Sequence, residues 1–353
     1  MLVDGGGAEG STGYARFVAE LLVAASACAR AAGEPMPEVE AAAERLLAWL
    51  VATVAPDGLD LAIGDDDDSR VLPGARPLGA HDLTVLAPLV PAARREGMGW
   101  SEIAGWLLGE EGKARWEATP AGPWPARFES WAFGVFLARR GGIDGDLVTL
   151  RAGNHGQLGA GGHAHNDALA LSIWFGGHPA IVDPGTGLYL GRRALRDRFR
   201  GVAAHAAVCI DGLEPSPILA SRPFALPDRA LARVVSIDDR AGCWRIIAQH
   251  EGYRRVGVTH RREVRWLRDD GVVTVTDELL GRGSHDVAIN FPLASADAPV
   301  TLATGERDRE MPTFRHDPGL VSPEYGSLES SVVARRMGRV QLPVTLTTIL
   351  TRR

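Results

Sequence analysis

The segment Gly161-Gly-His-Ala-His-Asn-Asp167 says most about the fold and chemistry of this chain. It holds two histidines two positions apart, and Val182-Asp-Pro-Gly-Thr186 and His205 follow it. On an extended strand, side chains at i and i+2 leave the same face, so we expect a strand that turns His163 and His165 into one cavity. The preceding glycines let a ligand or another backbone come close.

The residue types in this set are those that bind divalent metals. Imidazole and carboxylate ligands suit zinc and other first-row cations, and three protein ligands leave a position for water, substrate or a fourth residue. The alternative is that each histidine is an ordinary polar residue, which is the commoner outcome for a single histidine. The ordered set within a Gly-rich segment favours a metal site.

Length and composition indicate a folded, globular protein of two domains. The chain has 353 residues, 45% of them hydrophobic, which is enough to bury more than one core. A net charge of -6 and a pI near 6.0 leave no footprint of nucleic-acid binding. Cys28, Cys209 and Cys243 are far apart and odd in number, so we expect neither a disulfide framework nor a thiolate metal site.

Targeting signals are missing from the sequence as given. No apolar run approaches the ~18 residues of a membrane span, and no basic segment precedes an apolar one at the start. The opening Leu2-Val-Asp-Gly-Gly-Gly7 is typical of a loop in the middle of a protein, directly before a helix. We therefore expect the chain to be truncated at its N-terminus.

The first 125 residues are predicted to be helical. From Thr12 to Ala55 apolar residues recur at helical spacing, and Gly33 and Pro35 divide this stretch into two antiparallel helices. Helical character returns at 80–95 and at 101–109. This pattern predicts a helical domain at the start of the chain.

Beyond Pro125 the pattern changes to short β-rich runs separated by Gly, Asp and Pro turns. The predicted strands are Trp131–Arg139, Leu147–Ala152, Ala168–Phe175, Ala180–Val182, Ala207–Ile210, Arg233–Ile237, Cys243–His250, Val258–Leu267, Val272–Glu278 and Asp286–Phe291. Without helical crossovers between them, an antiparallel sandwich is favoured over a parallel sheet. The predicted class is α+β multidomain, with helices at 1–125 and an antiparallel β-sandwich at 126–353.

Two segments of the helical half carry candidate polar groups. In Asp4-Gly-Gly-Gly-Ala-Glu-Gly-Ser-Thr-Gly-Tyr14 a Gly-rich turn precedes a helix, where a phenol can project into a cleft and carry a proton. Taken alone, Tyr14 is more often a packing residue, and Glu9 a solvated or capping carboxylate. The run Asp65-Asp-Asp-Asp68 is predicted to be a solvated loop.

Together these segments resemble the heparinase II/III-type polysaccharide lyases. The resemblance rests on Asp4 to Tyr14, the Gly64-Asp-Asp-Asp region, Gly161 to Leu169, Gly177 to Thr186 with Asp183-Pro-Gly, Arg200 through His205 into Asp211-Gly212, and His250-Glu-Gly-Tyr253. It implies an incomplete α/α toroid followed by an antiparallel β-sandwich, with a cleft between them for an acidic polysaccharide that is cleaved by β-elimination. It also implies zinc in the sandwich, where the ion holds loops in place.

Residue by residue, the resemblance implies that His165, Asp183 and His205 bind the metal, that His163 faces the cleft, and that Tyr14 is the catalytic tyrosine. These types suit the reaction, because the C5 proton of a uronate is weakly acidic and lies beside a carboxylate. The enzyme must neutralise that carboxylate, remove the proton and protonate the departing O4. Histidine and tyrosine can carry protons, and cationic or amide groups can neutralise the charge.

A basic run lies between two of the proposed metal ligands. Gly191-Arg-Arg-Ala-Leu-Arg-Asp-Arg-Phe-Arg200 has five arginines against one aspartate. Guanidinium groups pair bidentately with carboxylate or sulfate, and a solvated basic face is the equally weighted alternative. The last three arginines are chosen because they alternate toward His205. The candidate substrate-binding residues are Glu9, Tyr189, Arg196, Arg198 and Arg200.

Two departures from the family pattern bear on activity. Ala15 and Ala206 stand where the family has histidine after the tyrosine and asparagine after the metal-binding histidine. The family's Asn-His segment, which helps to bind the uronate carboxylate, has no counterpart before Asp4. We therefore expect an incomplete toroid with weak activity, no activity, or a need for a partner. A periplasmic or secreted location would follow from the family.

Two other functions would keep the metal. A non-catalytic saccharide-binding protein is favoured by Ala15, Ala206 and the short N-terminus. A metallo-β-lactamase-like hydrolase, in which a metal-bound water attacks an ester or amide, is favoured by His163-Ala-His-Asn-Asp167. The last histidine of that motif is replaced by Ala168, and a long helical first half does not suit an αββα fold.

Overall fold

The fold is known from a computed structural model that describes residues 1–72, 87–240, 242–306, 308 and 310–353. These residues contain four α-helices and a thirteen-stranded sheet. The helices are α1 (Thr12–Ala31), α2 (Pro37–Thr53), α3 (Glu102–Ala118) and α4 (Arg193–Phe199). The strands are β1 (Arg127–Ser130), β2 (Val135–Arg140), β3 (Asp146–Arg151), β4 (Leu171–Phe175), β5 (His178–Ile181), β6 (Val208–Ile210), β7 (Arg233–Arg240), β8 (Cys243–His250), β9 (Thr259–Leu267), β10 (Val272–Leu293), β11 (Val300–Thr304), β12 (Arg315–Val321) and β13 (Glu329–Arg352).

Helices α1 and α2 form where the apolar spacing predicts them. Ser11 caps α1, because its Oγ accepts a hydrogen bond of 3.1 Å from the amide of Tyr14. Gly33 adopts a φ of +75° just beyond α1, and Pro37 begins α2, where a backbone N–H has no helical partner. The predicted pair of helices with a break at Gly33 and Pro35 is confirmed.

The helical part contains an irregular stretch after α2, where the sequence predicts no helix between Ala55 and residue 80. Residues 54–72, all of them described, contain no helix. Aspartate side chains in this stretch bond backbone amides two residues further on, which competes with helix formation. These bonds join Asp57 to Leu59, Asp60 to Ala62, Asp66 to Asp68, and Asp67 to Ser69.

The later helical predictions are met in part. Residues 80–86 of the predicted helix 80–95 lie outside the described residues, and the described remainder holds only tight turns, including Pro91–Ala93. Helix α3 extends the predicted helix 101–109 to Ala118, with non-helical backbone at Gly109. Closure of these helices into an α/α toroid stays a prediction, as do the domain bounds 1–125 and 126–353.

The strand predictions hold for the middle of the chain and miss the strands after residue 293. β8 has the predicted bounds Cys243–His250, and β3 differs by one residue at each end. Val272–Glu278 and Asp286–Phe291 are parts of the single long strand β10. The strands after residue 293 were not predicted, although the 24-residue β13 is the longest in the described sheet.

The long strand β10 connects two layers. It pairs with β9 along Val272–Leu280 and with β6 along Val287–Ile289. Its register against β13 shifts between Leu279 and Gly283, and such irregularities bend a strand. Every strand pair in the described sheet is antiparallel.

One core fills the space between the layers. It joins Phe136 and Val148, from β2 and β3, to Trp244 and Val264, from β8 and β9. All four side chains are at most 1% exposed. Alternate residues of two facing layers thus bury each other. The predicted antiparallel β-sandwich is confirmed.

The outer face of β2–β4 packs against the helices. Val135, Leu137 and Leu147 alternate with the sandwich core residues and join a second buried cluster with Leu46 and Leu50 of α2. The sheet layer is therefore covered on both faces. This packing brings the irregular stretch 54–72 against the loops that join β3 to β4 and β5 to β6.

A fully buried arginine ties two of these loops to the sandwich. Arg262 of β9 makes a bidentate pair with Asp277, with Nε–Oδ1 at 2.7 Å and Nη2–Oδ2 at 3.0 Å. Its Nη1 donates to the carbonyl oxygens of Leu169 (2.8 Å) and Ala206 (2.6 Å). One guanidinium group thus fixes the loop after His165 and the residue that follows His205.

Two buried histidines complete this network. The amide of Gly252 donates to Nδ1 of His250 (3.1 Å), so the proton of that ring lies on Nε2 and points to Nδ1 of His260 (3.0 Å). His260 in turn donates from Nε2 to Asp277 (2.7 Å). Burial lowers the pKa of both imidazoles, so they remain neutral. The hydrogen bonds form one directed chain that ends at the Asp277 carboxylate.

We predict that Arg262→Lys loosens the two loops as well as the sandwich. A lysine cannot reach Asp277 and both carbonyl oxygens at once, and an unsatisfied buried group costs about 1–3 kcal/mol. Hydrogen exchange followed by mass spectrometry should show faster exchange at 165–170 and 202–207, with a lower melting temperature.

The matched control is Arg336→Lys. Arg336 is equally buried in the sandwich, where it pairs with Asp308 and the carbonyl oxygen of Met311. This variant should also melt earlier, with exchange at 165–170 and 202–207 unchanged. Equal acceleration of exchange in both variants would mean that Arg262 acts on global stability alone.

Candidate functional site

The segment with His163 and His165 is a loop, so the predicted strand geometry is wrong. Residues 161–170 lie before β4 and contain no strand. Their backbone groups bond other loops instead of a neighbouring strand: the His163 carbonyl accepts from the Asp65 amide (2.9 Å), and the Asn166 amide donates to the Arg200 carbonyl (2.9 Å). Both histidines still converge on one partner.

That partner is Asp65. It is buried, so the prediction that residues 65–68 are solvated is wrong for Asp65. Its carboxylate accepts from Nε2 of His165 (3.0 Å) and pairs bidentately with Arg196 at 2.5 and 2.7 Å. Nδ1 of His163 lies 3.4 Å away. Burial alone raises the pKa of Asp65, but the bonds from His163, His165 and Arg196 outweigh it and hold the pKa well below its usual range.

Tyr14 and His163 form a stacked pair across the two parts of the chain. Their ring centroids are 3.8 Å apart and the planes differ by 26°. The Tyr14 hydroxyl lies 3.2 Å from both the Tyr189 hydroxyl and Oδ2 of Asp67. Burial, with the negative charge of Asp67, raises the pKa of Tyr14 to about 12, although the Tyr189 hydroxyl opposes this shift. The phenol therefore keeps its proton at neutral pH.

The two ring nitrogens of His163 differ in access. Nδ1 is buried on the Asp65 side, while Nε2 lies 3.3 Å from Oε2 of Glu9. The Asp65 carboxylate favours a proton on Nδ1, and Nε2 is the nitrogen at the accessible edge of the ring. Glu9 thus lies at the accessible edge of the His163 ring.

Close backbone contacts set the distance between the helical part and the loops. Gly10, with a φ of +76°, would place a Cβ only 2.7 Å from the His155 carbonyl oxygen. Gly64, with a φ of +71°, would place one 2.6 Å from the His163 carbonyl oxygen. Both positions need a left-handed backbone and no side chain. They let Tyr14 reach His163.

His165, Asp183 and His205 form a compact group of metal-ligand types. One ligand atom from each lies within 4.8 Å of the others. Nδ1 of His165 and Nε2 of His205 are buried and have no hydrogen-bond partner among the described residues. His205 Nδ1 and Asp183 Oδ2 are 3.1 Å apart. Two imidazoles, each with one unpaired ring nitrogen, and a nearby carboxylate are a donor set that fits a zinc ion.

Asp65 supports this group from behind. Because it accepts from Nε2 of His165, the Nδ1 lone pair of that ring is left for a metal. A carboxylate on the far nitrogen of a ligating histidine is the usual way to fix its tautomer and orientation. The same carboxylate therefore bears on both the candidate metal ligands and the stacked Tyr14–His163 pair.

The arginines lie differently from the predicted alternation. They belong to α4 and its end, so Arg196 and Arg200, four residues apart, point inward together, while Arg198 is exposed. Arg200 pairs with Asp197 and donates to the Pro223 carbonyl oxygen. Of the three predicted arginines, Arg196 and Arg200 hold protein groups with their buried guanidinium groups, and Arg198 faces solvent.

Sequence reasoning missed Asp65 and Asp67 as site residues. Four consecutive aspartates are typical of a solvated run, and nothing in their spacing separates Asp65 from the rest. The available signal was the Gly64-Asp-Asp-Asp region in the family resemblance. Its partners, His163 and Arg196, are distant in the sequence, so the pairing depends on tertiary structure.

We predict that Asp65→Asn destabilises the protein by about 3–5 kcal/mol, because it leaves the Arg196 charge buried without a counter-charge. Chemical unfolding should measure this loss. The control is Asp238→Asn, which removes a surface pair with Arg240, whose side chain is 85% exposed. That control should change stability by less than about 0.5 kcal/mol. Equal effects would exclude the buried pair as a main source of stability.

Comparisons with known proteins bear on fold and family. The model of the heparinase II/III-like C-terminal family matches residues 124–351. A search of curated protein sequences gives no match. No helix among the described residues is long and apolar enough to cross a membrane.

Solved structures share the fold of nearly the whole chain. A heparinase III superimposes with a TM-score of 0.71 at 16% identity, over 99% of this chain and 52% of that one. Heparan sulfate lyase HepC from Pedobacter heparinus gives 0.71 at 16%, over 99% and 53%. Another heparinase III gives 0.68 at 15%, over 99% and 54%. The chain spans about half the length of these proteins. By its family match over residues 124–351, the chain belongs to the heparinase II/III-like family.

Proposed function

We propose that this chain carries the reacting groups of a polysaccharide lyase that cleaves a uronate-containing chain by β-elimination. The observation that supports this most directly is the stacked pair of Tyr14 and His163, one from each part of the chain, 3.8 Å apart. Elimination needs a proton removed from C5 and a proton given to O4 of the same sugar. Two proton carriers side by side suit those neighbouring atoms.

The surroundings of each group suggest its role. His163 is the base, because Asp65 favours a proton on Nδ1 and Nε2 is the accessible nitrogen. Tyr14 is the acid, since its raised pKa of about 12 keeps the phenol protonated. In the reaction the C5–H bond breaks, a C4–C5 double bond forms, the C4–O4 bond breaks, and O4 takes the phenolic proton.

The substrate class is proposed from family membership and from the site. Solved relatives are described as heparinase III and heparan sulfate lyase, and an acidic polysaccharide of the heparan or alginate type is the matching proposal here. Glu9 and Tyr189 border the stacked pair. Arg198 is the predicted arginine that is exposed and able to meet an anionic group.

We predict that the protein releases unsaturated uronate, detected by its ultraviolet absorbance, from a suitable acidic polysaccharide. Tyr14→Phe and His163→Gln should each lower kcat/KM by about 10²- to 10⁴-fold, which is typical for loss of a general acid or base. Tyr253→Phe is the matched control, because it removes a buried phenol that bonds the Val208 carbonyl. It should lower the melting temperature and leave the reaction in place.

Other outcomes would assign another function. New reducing ends without the chromophore would indicate hydrolysis, although the antiparallel sandwich already speaks against the αββα hydrolase. Binding without turnover across a panel of uronate polymers would favour the non-catalytic saccharide-binding alternative. Because Tyr14 titrates near pH 12, deprotonation of this group should cause no loss of kcat/KM between roughly pH 7 and 10.

We further propose that His165, Asp183 and His205 hold a zinc ion. The support is the compact group of two histidines and Asp183, in which each imidazole has one buried nitrogen without a partner among the described residues. A bound zinc ion would act as a divalent positive charge that draws these ligands together. His165 is thereby held against Asp65, which also contacts His163.

We predict that purified protein, loaded with zinc and dialysed, retains about one zinc ion per chain. His165→Ala and His205→Ala should lower the content toward zero, as measured by elemental analysis. His285→Ala is the control, since His285 pairs with Asp211 outside this group, and it should keep the metal. An unchanged zinc content in His165→Ala, or none in the parent protein, would refute the site.

A further inference from the structure

An aromatic group extends from the stacked pair toward solvent. Tyr189, whose hydroxyl lies 3.2 Å from that of Tyr14, contacts Phe224 and Tyr325 edge to face, with ring centroids 5.4 and 5.0 Å away. Tyr189 itself is only 9% exposed, whereas Phe224 is 44% and Tyr325 36% exposed. The outer two rings thus offer faces to solvent beside the reacting groups.

These rings are held in place from below. The Arg196 guanidinium lies 4.9 Å from the centre of the Tyr189 ring and 5.3 Å from that of Phe224. Arg196 cannot swing away, because both of its terminal nitrogens are bound to the buried Asp65 carboxylate. Cation–π contact and ring packing therefore fix Phe224 without covering it.

Tyr325 is anchored by its own polar groups. Its hydroxyl accepts from the Tyr189 amide (3.1 Å), and its amide donates to Oδ2 of Asp68 (2.6 Å). Tyr325 is thus bonded both to the sheet part, through Tyr189, and to the irregular stretch after α2, through Asp68.

Rigid aromatic faces that remain in solvent are typical of binding surfaces, because they present large apolar area at little cost in side-chain entropy. The apolar C–H face of a pyranose ring is the chemical complement of such a surface. A linear polysaccharide with one unit at Tyr14 and His163 must also place its next unit nearby.

We propose that Phe224 and Tyr325 form a stacking subsite for the pyranose unit next to the uronate that reacts. This inference rests on the proposed lyase function and deepens it. The subsite binds the neighbouring sugar through its ring face, so it contributes affinity for substrates longer than the minimal cleavable unit. It takes no part in proton transfer.

The test compares Phe224→Leu with Phe224→Trp. Leucine keeps apolar contact with Tyr189 and Arg196 but removes the aromatic face, whereas tryptophan retains one. Loss of an aromatic contact of about 0.5–1.5 kcal/mol corresponds to a rise in KM of roughly 2- to 12-fold. We expect that rise for Phe224→Leu on long oligosaccharides, with kcat within about 2-fold, and near-parent KM for Phe224→Trp.

The control is Trp106→Ala on α3, which removes an aromatic side chain that is 83% exposed. Its KM should equal that of the parent protein. A binding measurement with intact oligosaccharides in the Tyr14→Phe background should show the same weakening by Phe224→Leu, independently of turnover.

The outcomes separate this subsite from the lyase function. If the parent protein cleaves and Phe224→Leu leaves KM and binding unchanged, the subsite is wrong and the lyase function stands. If Phe224→Leu lowers kcat and not affinity, the ring positions reacting groups and the subsite is again wrong. If the parent protein neither cleaves nor binds any uronate polymer, both proposals fail.

Discussion

The buried carboxylate of Asp65 is the interaction on which the rest of the site depends. Removing a charge from water costs several kcal/mol per ion unless the charge is paired and hydrogen-bonded. Asp65 comes from the irregular stretch after α2. Its partners His163 and His165 come from the loop before β4, and Arg196 comes from α4. Separating the two parts would leave these charged groups without their partners. The electrostatic pairing therefore fixes the position of one part relative to the other.

This pairing gives three neighbouring groups their orientation. It directs the proton of His165 to Nε2 and leaves Nδ1 unprotonated in the candidate metal group with Asp183 and His205. It favours the tautomer of His163 whose accessible nitrogen can take a proton. Through Arg196 it also supports the ring of Tyr189 from below. The candidate metal centre, the stacked pair and the aromatic surface are therefore all connected through the Asp65 carboxylate.

The sequence predicted the parts of the fold whose signals are local. Helical spacing and the Gly33 break predicted α1 and α2, and a β-rich run between turns predicted β8 with its bounds. It failed for Asp65, which is predicted to be solvated and is buried. It also failed for 161–170, where loop-to-loop hydrogen bonds replace a strand. These outcomes depend on partners that sequence spacing does not reveal.

The site was predictable in its residue types and less so in its pairings. His165, Asp183 and His205 are brought together as the family resemblance implies, and Tyr14 meets His163. The burial of Asp65 and of Arg196 was not predicted. A run of like charges has the same sequence pattern whether its side chains are solvated or buried. Which charges are desolvated is decided by tertiary packing.

The glycines at the seam limit how this chain can evolve. Gly10 and Gly64 hold no reactive atom, yet a Cβ added to either would clash with a carbonyl oxygen on the opposite side. A single methyl group at either position would act as a wedge and part the phenol from the imidazole. A change that adds only one carbon would therefore disrupt the proposed reacting pair while Tyr14 and His163 themselves stay unchanged.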